Sequence, residues 1–196
     1  MYGFAAICLY ELINLFVEFS FGAEYVFPEN VVFVLCLNFF ILGMRQAALV
    51  FRDSLGLFWF DRYKSIANAF LNIVFSIVLA KECGAFGVFL GTLFSTLLTS
   101  FWVEPLVLYR HSLKVPVVHY FAKYALYTGI VFAAGMLTHI SCRQMGGSMA
   151  EIFFKRICVC VVVPNVIFLV CYVRTKEFCF LWEKIMLLIK KWRKTS

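Results

Sequence analysis

The sequence predicts an all-α transmembrane protein, with a bundle of about six membrane-spanning helices followed by an amphipathic helix at the membrane interface. Hydrophobic residues make up 63% of the 196 residues and charged residues only 15%, whereas soluble domains carry about 25% charged residues. A chain of this length cannot bury so much apolar surface in one soluble core. The apolar runs are continuous rather than alternating, which favours helices over the strands of a membrane barrel.

Six apolar runs approach the length of about 20 residues that a spanning helix needs. They cover approximately Gly3–Phe21, Val31–Phe51, Ser65–Ala80, Gly84–Tyr109, Val118–Ile140 and Ile157–Val173. We expect this transmembrane bundle to occupy residues 1–174. Glu104-Pro105 lies near the inner end of the fourth run and Pro164-Asn165 interrupts the sixth, so we expect kinks at both places.

The distribution of lysine and arginine predicts the orientation of the bundle, because these residues concentrate on the cytoplasmic side of a membrane. With the N-terminus inside, the outer segments hold only Lys81, Arg143, Lys155 and Arg156, the last three in a predicted outer loop of residues 141–156. Both termini are therefore predicted to be cytoplasmic. The net charge of +7 lies mainly in the inner segments and the tail, so it indicates topology and not a nucleic-acid partner.

The tail of residues 175–196 is predicted to be a basic amphipathic helix rather than a seventh span. Its apolar and aromatic residues recur at helical spacing and alternate with basic ones: Phe178, Leu181, Trp182, Ile185, Ile189 and Trp192 against Lys176, Lys184, Lys190, Lys191 and Arg193. Such a helix lies in the membrane interface and is attracted to anionic headgroups. We expect it to anchor the chain to the bilayer.

The beginning of the chain and its cysteines add two expectations. No cleavable signal peptide is predicted, since Glu11 and Glu18 interrupt the first apolar run. The chain starts at the first residues of an apolar helix, from which we expect a fragment of a longer protein. Most cysteines lie in or beside apolar runs, where free thiols pack as small hydrophobes; Cys83 and Cys142 fall in predicted outer loops.

The third and fourth helices are predicted to form a tight hairpin. Asn68, Asn72 and Ser76 are four residues apart and share one face of the third helix. Small residues at the same spacing form a groove on the fourth helix: Gly87, Gly91, Ser95 and Thr99. Small residues let two helix backbones approach closely, and amides form hydrogen bonds across such contacts. The asparagine face is equally compatible with packing and with lining a water-filled cavity.

Ionisable residues within spans are costly, so they normally face a partner or a wet cavity. Arg45 in the second helix and Glu11 in the first lie at similar distances from the cytoplasmic side, so an ion pair between them is possible. Alternatively, Arg45 faces a central cavity and binds phosphate or an acidic sugar, which a planar guanidinium can contact bidentately. Glu18 lies on nearly the same face as Glu11, and Glu104 lies near the cytoplasmic mouth.

Catalytic and metal-binding motifs are not recognisable, so no enzyme activity, cofactor or metal is predicted. His111, His119 and His139 have no carboxylate or cysteine partner at catalytic or metal-ligand spacing. The tripeptide Asp61-Arg62-Tyr63 also occurs in seven-helix receptors, but it stands in a loop here and the number of spans differs. We interpret that match as a coincidence.

The segment from Gly56 to Lys114 resembles the polysaccharide (lipid-linked oligosaccharide) flippase family of the multidrug/oligosaccharidyl-lipid/polysaccharide exporter superfamily. The similar features are Asn72–Ile77 (NIVFSI), the Gly84/Gly87 turn, Gly91-Thr92 with Ser95, and Glu104-Pro105 followed by Tyr109-Arg110. The upstream segment of residues 37–58, which contains Arg45 and Arg52, looks similar as well. The last two spans fit only in position and hydrophobicity.

The resemblance implies one half, the C-terminal one, of an exporter fold built from two helical bundles around a central cavity. It implies transport of a polyprenyl-pyrophosphate-linked oligosaccharide across the bacterial cytoplasmic membrane by alternating access, with the bilayer and possible glycan polymerase and export machinery as partners. Cationic cavities of such proteins suit an anionic carrier, which makes Arg45, Arg52, Lys64, Asn68 and Asn72 the expected substrate-binding residues.

Three alternatives remain open at this stage. A cation-coupled multidrug exporter of the same superfamily would use Glu11, Glu18 or Glu104 as its cation site. A membrane glycan polymerase or acyltransferase would need a large outer loop or a His/Asp site, and the sequence offers neither. A non-transporting remnant or packing subunit would need only the helix contacts of Gly87, Gly91 and Ser95.

Overall fold

A computed structural model describes residues 1–59, 61–173, 175, 178, 180, 182–184, 186 and 187. Among these residues the α-helices with continuous described ranges are α1 (Tyr2–Phe21), α2 (Glu29–Ser54), α3 (Lys64–Cys83), α4 (Ala85–Leu98), α5 (Ser100–Leu108), α6 (Val118–Arg143) and α7 (Met149–Tyr172). Short 3-10 turns lie between α1 and α2 and between α2 and α3, and a π-helical turn at Tyr109–Leu113 follows α5. The described residues contain no β-strand.

Six segments of these helices are long and apolar enough to cross a membrane, with α4, α5 and the π-helical turn forming one of them. The prediction of an all-α bundle with about six spans is therefore confirmed, and the chain is a multi-pass membrane protein. Most of the predicted amphipathic tail, residues 175–196, lies outside the described residues.

The bundle is organised around α2. On one side α2 packs against α4 and α5, and on the other it packs against α1, which in turn contacts α6 and α7. The buried core lies where α1, α2 and α4 meet and contains Ala6, Val34, Phe40, Ile41 and Leu93. The Asn38 amide of α2 donates a 2.9 Å hydrogen bond to the Phe89 carbonyl of α4, which joins the two helices within this core.

The α3–α4 hairpin is held by backbone contact at two glycines. A Cβ atom on Gly87 would lie 2.1 Å from the Leu79 carbonyl oxygen, and one on Gly91 would lie 2.7 Å from the Ser76 nitrogen. Only glycine lets the two helices approach this closely. The rest of α3 is loosely covered: all of its residues are described, and none of them is buried.

The fourth span is broken at Thr99, which the sequence does not predict, and the helix continues through Glu104-Pro105, where a kink is predicted. Thr99 adopts φ −114° and ψ −81° between α4 and α5, whereas Pro105 lies inside α5. The Thr99 hydroxyl is 2.6 Å from the Ser95 carbonyl oxygen, and a bond from Thr to the preceding turn bends helices. Thr128 and Thr138 make the same bond inside the unbroken α6, so this bond accompanies the break and does not explain it alone.

Helix α7 continues through Pro164 and Asn165, where a kink is predicted. The Asn165 amide donates a 2.7 Å hydrogen bond to the Val161 carbonyl. Pro164 has no N–H for the carbonyl four residues earlier, which belongs to Cys160, and the Cys8 thiol of α1 donates to that carbonyl at 3.7 Å.

The predicted outer loop of residues 141–156 is much shorter in the structure. Helix α6 ends at Arg143 and α7 begins at Met149, so Cys142, Lys155 and Arg156 are helical and Cys142 is buried. The Ser148 hydroxyl caps α7 by accepting a hydrogen bond from the Glu151 N–H at 3.4 Å. This cap satisfies an N–H that would otherwise lack a partner at the helix start, so polar residues extend the helix beyond the apolar run.

Candidate functional site: a cavity lined by Arg45, Lys64 and Glu104

A polar cavity of about 470 Å³ lies between α2, α3 and α5. Its wall contains residues from all three helices: Arg45, Leu49, Lys64, Ser65, Asn68, Ala69, Asn72, Ile73, Ser100 and Glu104. Four of the five residues predicted to bind substrate therefore lie together, although they come from two separate helices. The fifth, Arg52, lies outside this wall, near the end of α2.

Glu104 is the carboxylate that joins the two cations of this site. Its side chain is completely buried, and its carboxylate accepts hydrogen bonds from two cations. Arg45 donates from Nε to Oε2 at 2.9 Å and from Nη2 to Oε1 at 2.5 Å. Lys64 donates from Nζ to Oε1 at 2.7 Å. This two-point contact is the geometry with which a guanidinium binds a carboxylate or a phosphate.

The ion pairs continue from Lys64 towards the α2–α3 loop. Lys64 Nζ also lies 3.1 Å from Asp61 Oδ2, and Arg52 Nη1 lies 2.5 Å from the same oxygen. Arg52 in addition contacts Asp53 at 2.7 Å. A continuous network of ion pairs thus joins the cavity to the loop. Its members are three cations and three carboxylates, so the network is neutral: Arg45, Arg52 and Lys64 with Asp53, Asp61 and Glu104.

The two asparagines line the cavity and also hold the hairpin together. Asn72 Nδ2 donates to the hydroxyls of Thr92 at 3.1 Å and Ser95 at 3.3 Å. The Thr99 hydroxyl lies 3.0 Å from Asn68 Oδ1. The two readings of the asparagine face, packing and cavity lining, therefore apply to the same side chains.

The predicted ion pair between Glu11 and Arg45 is not formed, because Arg45 faces α5 and Glu11 faces α6. Glu11 Oε1 lies 2.9 Å from His139 Nδ1, and this partner, 128 residues away in the sequence, could not be found from motif spacing. The pair borders a second cavity, of about 290 Å³, between α1, α2 and α6. Apart from Glu11, His139, Tyr10 and Thr128, its wall is formed by apolar residues and Cys36.

The remaining predicted residues occupy other positions. Glu18 lies near the end of α1 and lines neither of these two cavities. Gly87, Gly91 and Ser95 lie at the α3–α4 contact described above. Sequence reasoning missed Asp61 and Ser100. An acidic residue between Arg52 and Lys64 in a basic loop was the available signal for Asp61, whereas Ser100 offered none.

The fold and the cavity together define a helical multi-pass membrane protein with a cation-lined polar cavity among its spans. The chain matches no protein-family model, no curated protein and no solved structure.

Proposed function

We propose that this chain is a bundle of a polysaccharide flippase, which moves a polyprenyl-pyrophosphate-linked oligosaccharide across a bacterial cytoplasmic membrane by alternating access. In this proposal the chain forms one half of a two-bundle exporter, its termini are cytoplasmic, and it works as a transporter without enzyme activity. The observation that carries the proposal is the cavity in which Arg45 and Lys64 lie beside Asn68 and Asn72.

The chemistry of the cavity suits such a substrate in two respects. A pyrophosphate diester presents anionic oxygens that match the donors of a guanidinium and an ammonium group. Sugar hydroxyls match the amide and hydroxyl groups of Asn68, Asn72 and Ser100. The cavity lies beside α3, the least covered helix, so a polyprenyl chain attached to the headgroup could extend into the surrounding lipid.

The proposal is tested by transport in proteoliposomes with a fluorescent lipid-linked oligosaccharide. We expect the protein to accelerate transfer between leaflets and Arg45→Lys to slow it about tenfold, because lysine keeps the charge and loses the two-point contact. Arg143→Lys, at an exposed position outside the cavity, is the matched control. Transfer that the wild type accelerates and that Arg45→Lys does not slow would contradict the proposal.

One observation favours a second candidate, a cation-coupled multidrug exporter. Glu11 is buried beside an apolar cavity whose wall includes Phe33, Phe40 and Tyr10, and aromatic faces attract lipophilic cations. Uptake of a cationic dye into the same proteoliposomes distinguishes the two functions. Dye transport that Glu11→Gln abolishes would favour the exporter, whereas a glycolipid flippase should transport no dye.

A further inference from the structure

Glu104 occupies the position that an anionic ligand would take in this cavity. Its two oxygens receive three hydrogen bonds, two from Arg45 and one from Lys64. Both cations line the 470 Å³ cavity, so a ligand arriving there meets donors that already bind a carboxylate. An entering phosphate must therefore share these donors with Glu104 or replace it.

Sharing is electrostatically unfavourable. Within the immediate group, Arg45 and Lys64 supply two positive charges and Glu104 removes one. A pyrophosphate diester brings two further negative charges next to a buried carboxylate, and nearby like charges favour the protonated form of a carboxyl group. The unfavourable contact disappears if the carboxylate takes up one proton.

We propose, on the basis of the proposed function, that anion binding and protonation of Glu104 are coupled. One proton from water forms an O–H bond on the Glu104 carboxylate. The hydrogen bonds from Arg45 Nη2 and Lys64 Nζ transfer from Glu104 Oε1 to phosphate oxygens. Release of the anion reverses both steps, so each anion is accompanied by one proton.

The other charged or titratable groups around the site keep their charge in this scheme. Asp61 is bound by Arg52 at 2.5 Å as well as by Lys64, so it retains a cation when Lys64 turns to the ligand. Tyr120 and Tyr124 of α6 are the phenols that interact electrostatically with the Glu104–Arg45 pair, and Tyr109 interacts with Tyr120. Phenols are neutral near pH 7, so Glu104 is the group that changes charge.

The test measures binding of P1,P2-dimethyl pyrophosphate, a diester whose charge is constant across the neutral pH range, to the chain in lipid nanodiscs. Wild-type affinity should fall as the pH rises, by at most about tenfold per unit, which is the limit for linkage of one proton. Glu104→Gln should bind with an affinity that does not depend on pH, because the amide is permanently neutral. Glu82→Gln, at an exposed carboxylate of α3, should behave as wild type.

A second measurement keeps the test decisive if Glu104→Gln does not fold. A pH-sensitive dye in weakly buffered solution should report uptake of about one proton per anion bound by the wild type. Binding without proton uptake and without pH dependence, but weakened by Arg45→Lys, would overturn this inference alone. Absence of any binding that depends on Arg45 would overturn the proposed function, and this inference with it.

Discussion

The two sides of α2 differ in how each compensates a buried carboxylate. Each side contains a buried carboxylate within the membrane-spanning region, Glu104 on the α5 side and Glu11 on the α1 side. Glu104 is bound by an arginine and a lysine, in a wall that also contains asparagines and a serine. Glu11 pairs with the side chain of His139, which is 40% exposed, at an otherwise mainly apolar cavity.

The difference is the reason for placing the proposed ligand on the α5 side. Burying ions costs free energy that their mutual attraction often does not recover, so a buried ion network is weak evidence for stability. The proposed function assigns the network of Arg45, Lys64 and Glu104 beside the 470 Å³ cavity a role in binding an anion. The α1 side needs no such explanation, because one histidine satisfies one carboxylate.

The largest expected loss of stability comes from Glu104→Ala, which leaves the buried Arg45 and the partly buried Lys64 without their shared carboxylate. Removing one partner of a buried ion pair typically lowers the free energy of unfolding by about 3–5 kcal/mol. Thermal unfolding in detergent measures the change, with the exposed Glu82→Ala as the control. Unfolding temperatures that are equal for the two variants would show that the α5 side does not depend on this network.

The second largest loss of stability is expected in the α3–α4 hairpin, whose helix α3 forms part of the cavity wall. Gly87→Ala places a Cβ atom against the Leu79 carbonyl oxygen, which is backbone and cannot rotate away. Overpacking of this kind costs about 1–3 kcal/mol. Gly129→Ala in α6 is the matched control, because its Cβ meets no atom within 4 Å and replacing a helical glycine adds about 0.5–1 kcal/mol of stability. Similar thermal unfolding of both variants would contradict the close contact.

Glu11→Gln, on the α1 side, is expected to lower the free energy of unfolding by a smaller amount. The amide can still form a hydrogen bond with His139 but loses the charge, which should cost about 1 kcal/mol. The loss is measured by thermal unfolding in detergent, with Glu24→Gln, an exposed change in the turn after α1, for comparison. A loss as large as that of Glu104→Ala would remove the contrast between the two carboxylates.

The smallest effect is expected from Lys155→Ala in α7. Lys155 Nζ lies 3.6 Å from Glu151 Oε2, and both side chains are more than half exposed, at 51% and 61%. Exposed pairs of this kind contribute less than about 0.5 kcal/mol. Unfolding measured at low and high salt should differ little between this variant and wild type. A clear salt-dependent loss would mean that the exposed pair matters more than its geometry indicates.

The number and approximate positions of the spanning helices were predictable from the sequence, because a long apolar run in a membrane must form a helix. The errors concern helix bounds, where polar residues belong to a helix and not to a loop. The start of α7 was placed too late because Glu151, Lys155 and Arg156 were assigned to a loop, although Ser148 and Glu151 have the spacing of a capping box. The break at Thr99 has no signal in the sequence, because threonines such as Thr128 and Thr138 also lie inside the continuous helix α6.

The residues of the cavity were largely predictable, but their partners were not. Arg45, Lys64, Asn68 and Asn72 could be selected because polar residues in spans normally face a cavity or each other. The choice between Glu11 and Glu104 as the partner of Arg45 depended on which helices pack together. Depth along each helix carries no information about that, and Glu104 is 59 residues away in sequence.

The loose covering of α3 has a mechanical consequence. Because none of its residues is buried, a shift of this helix away from α2 would expose little additional apolar surface, and such regions open at low free-energy cost. Helix α4 is held in the core with α1 and α2, so the backbone contacts at Gly87 and Gly91 tie α3 to a fixed partner. A change of partner at the Lys64 ammonium group is therefore expected to tilt the Lys64 end of α3 about its contact with α4, and not to displace the whole hairpin.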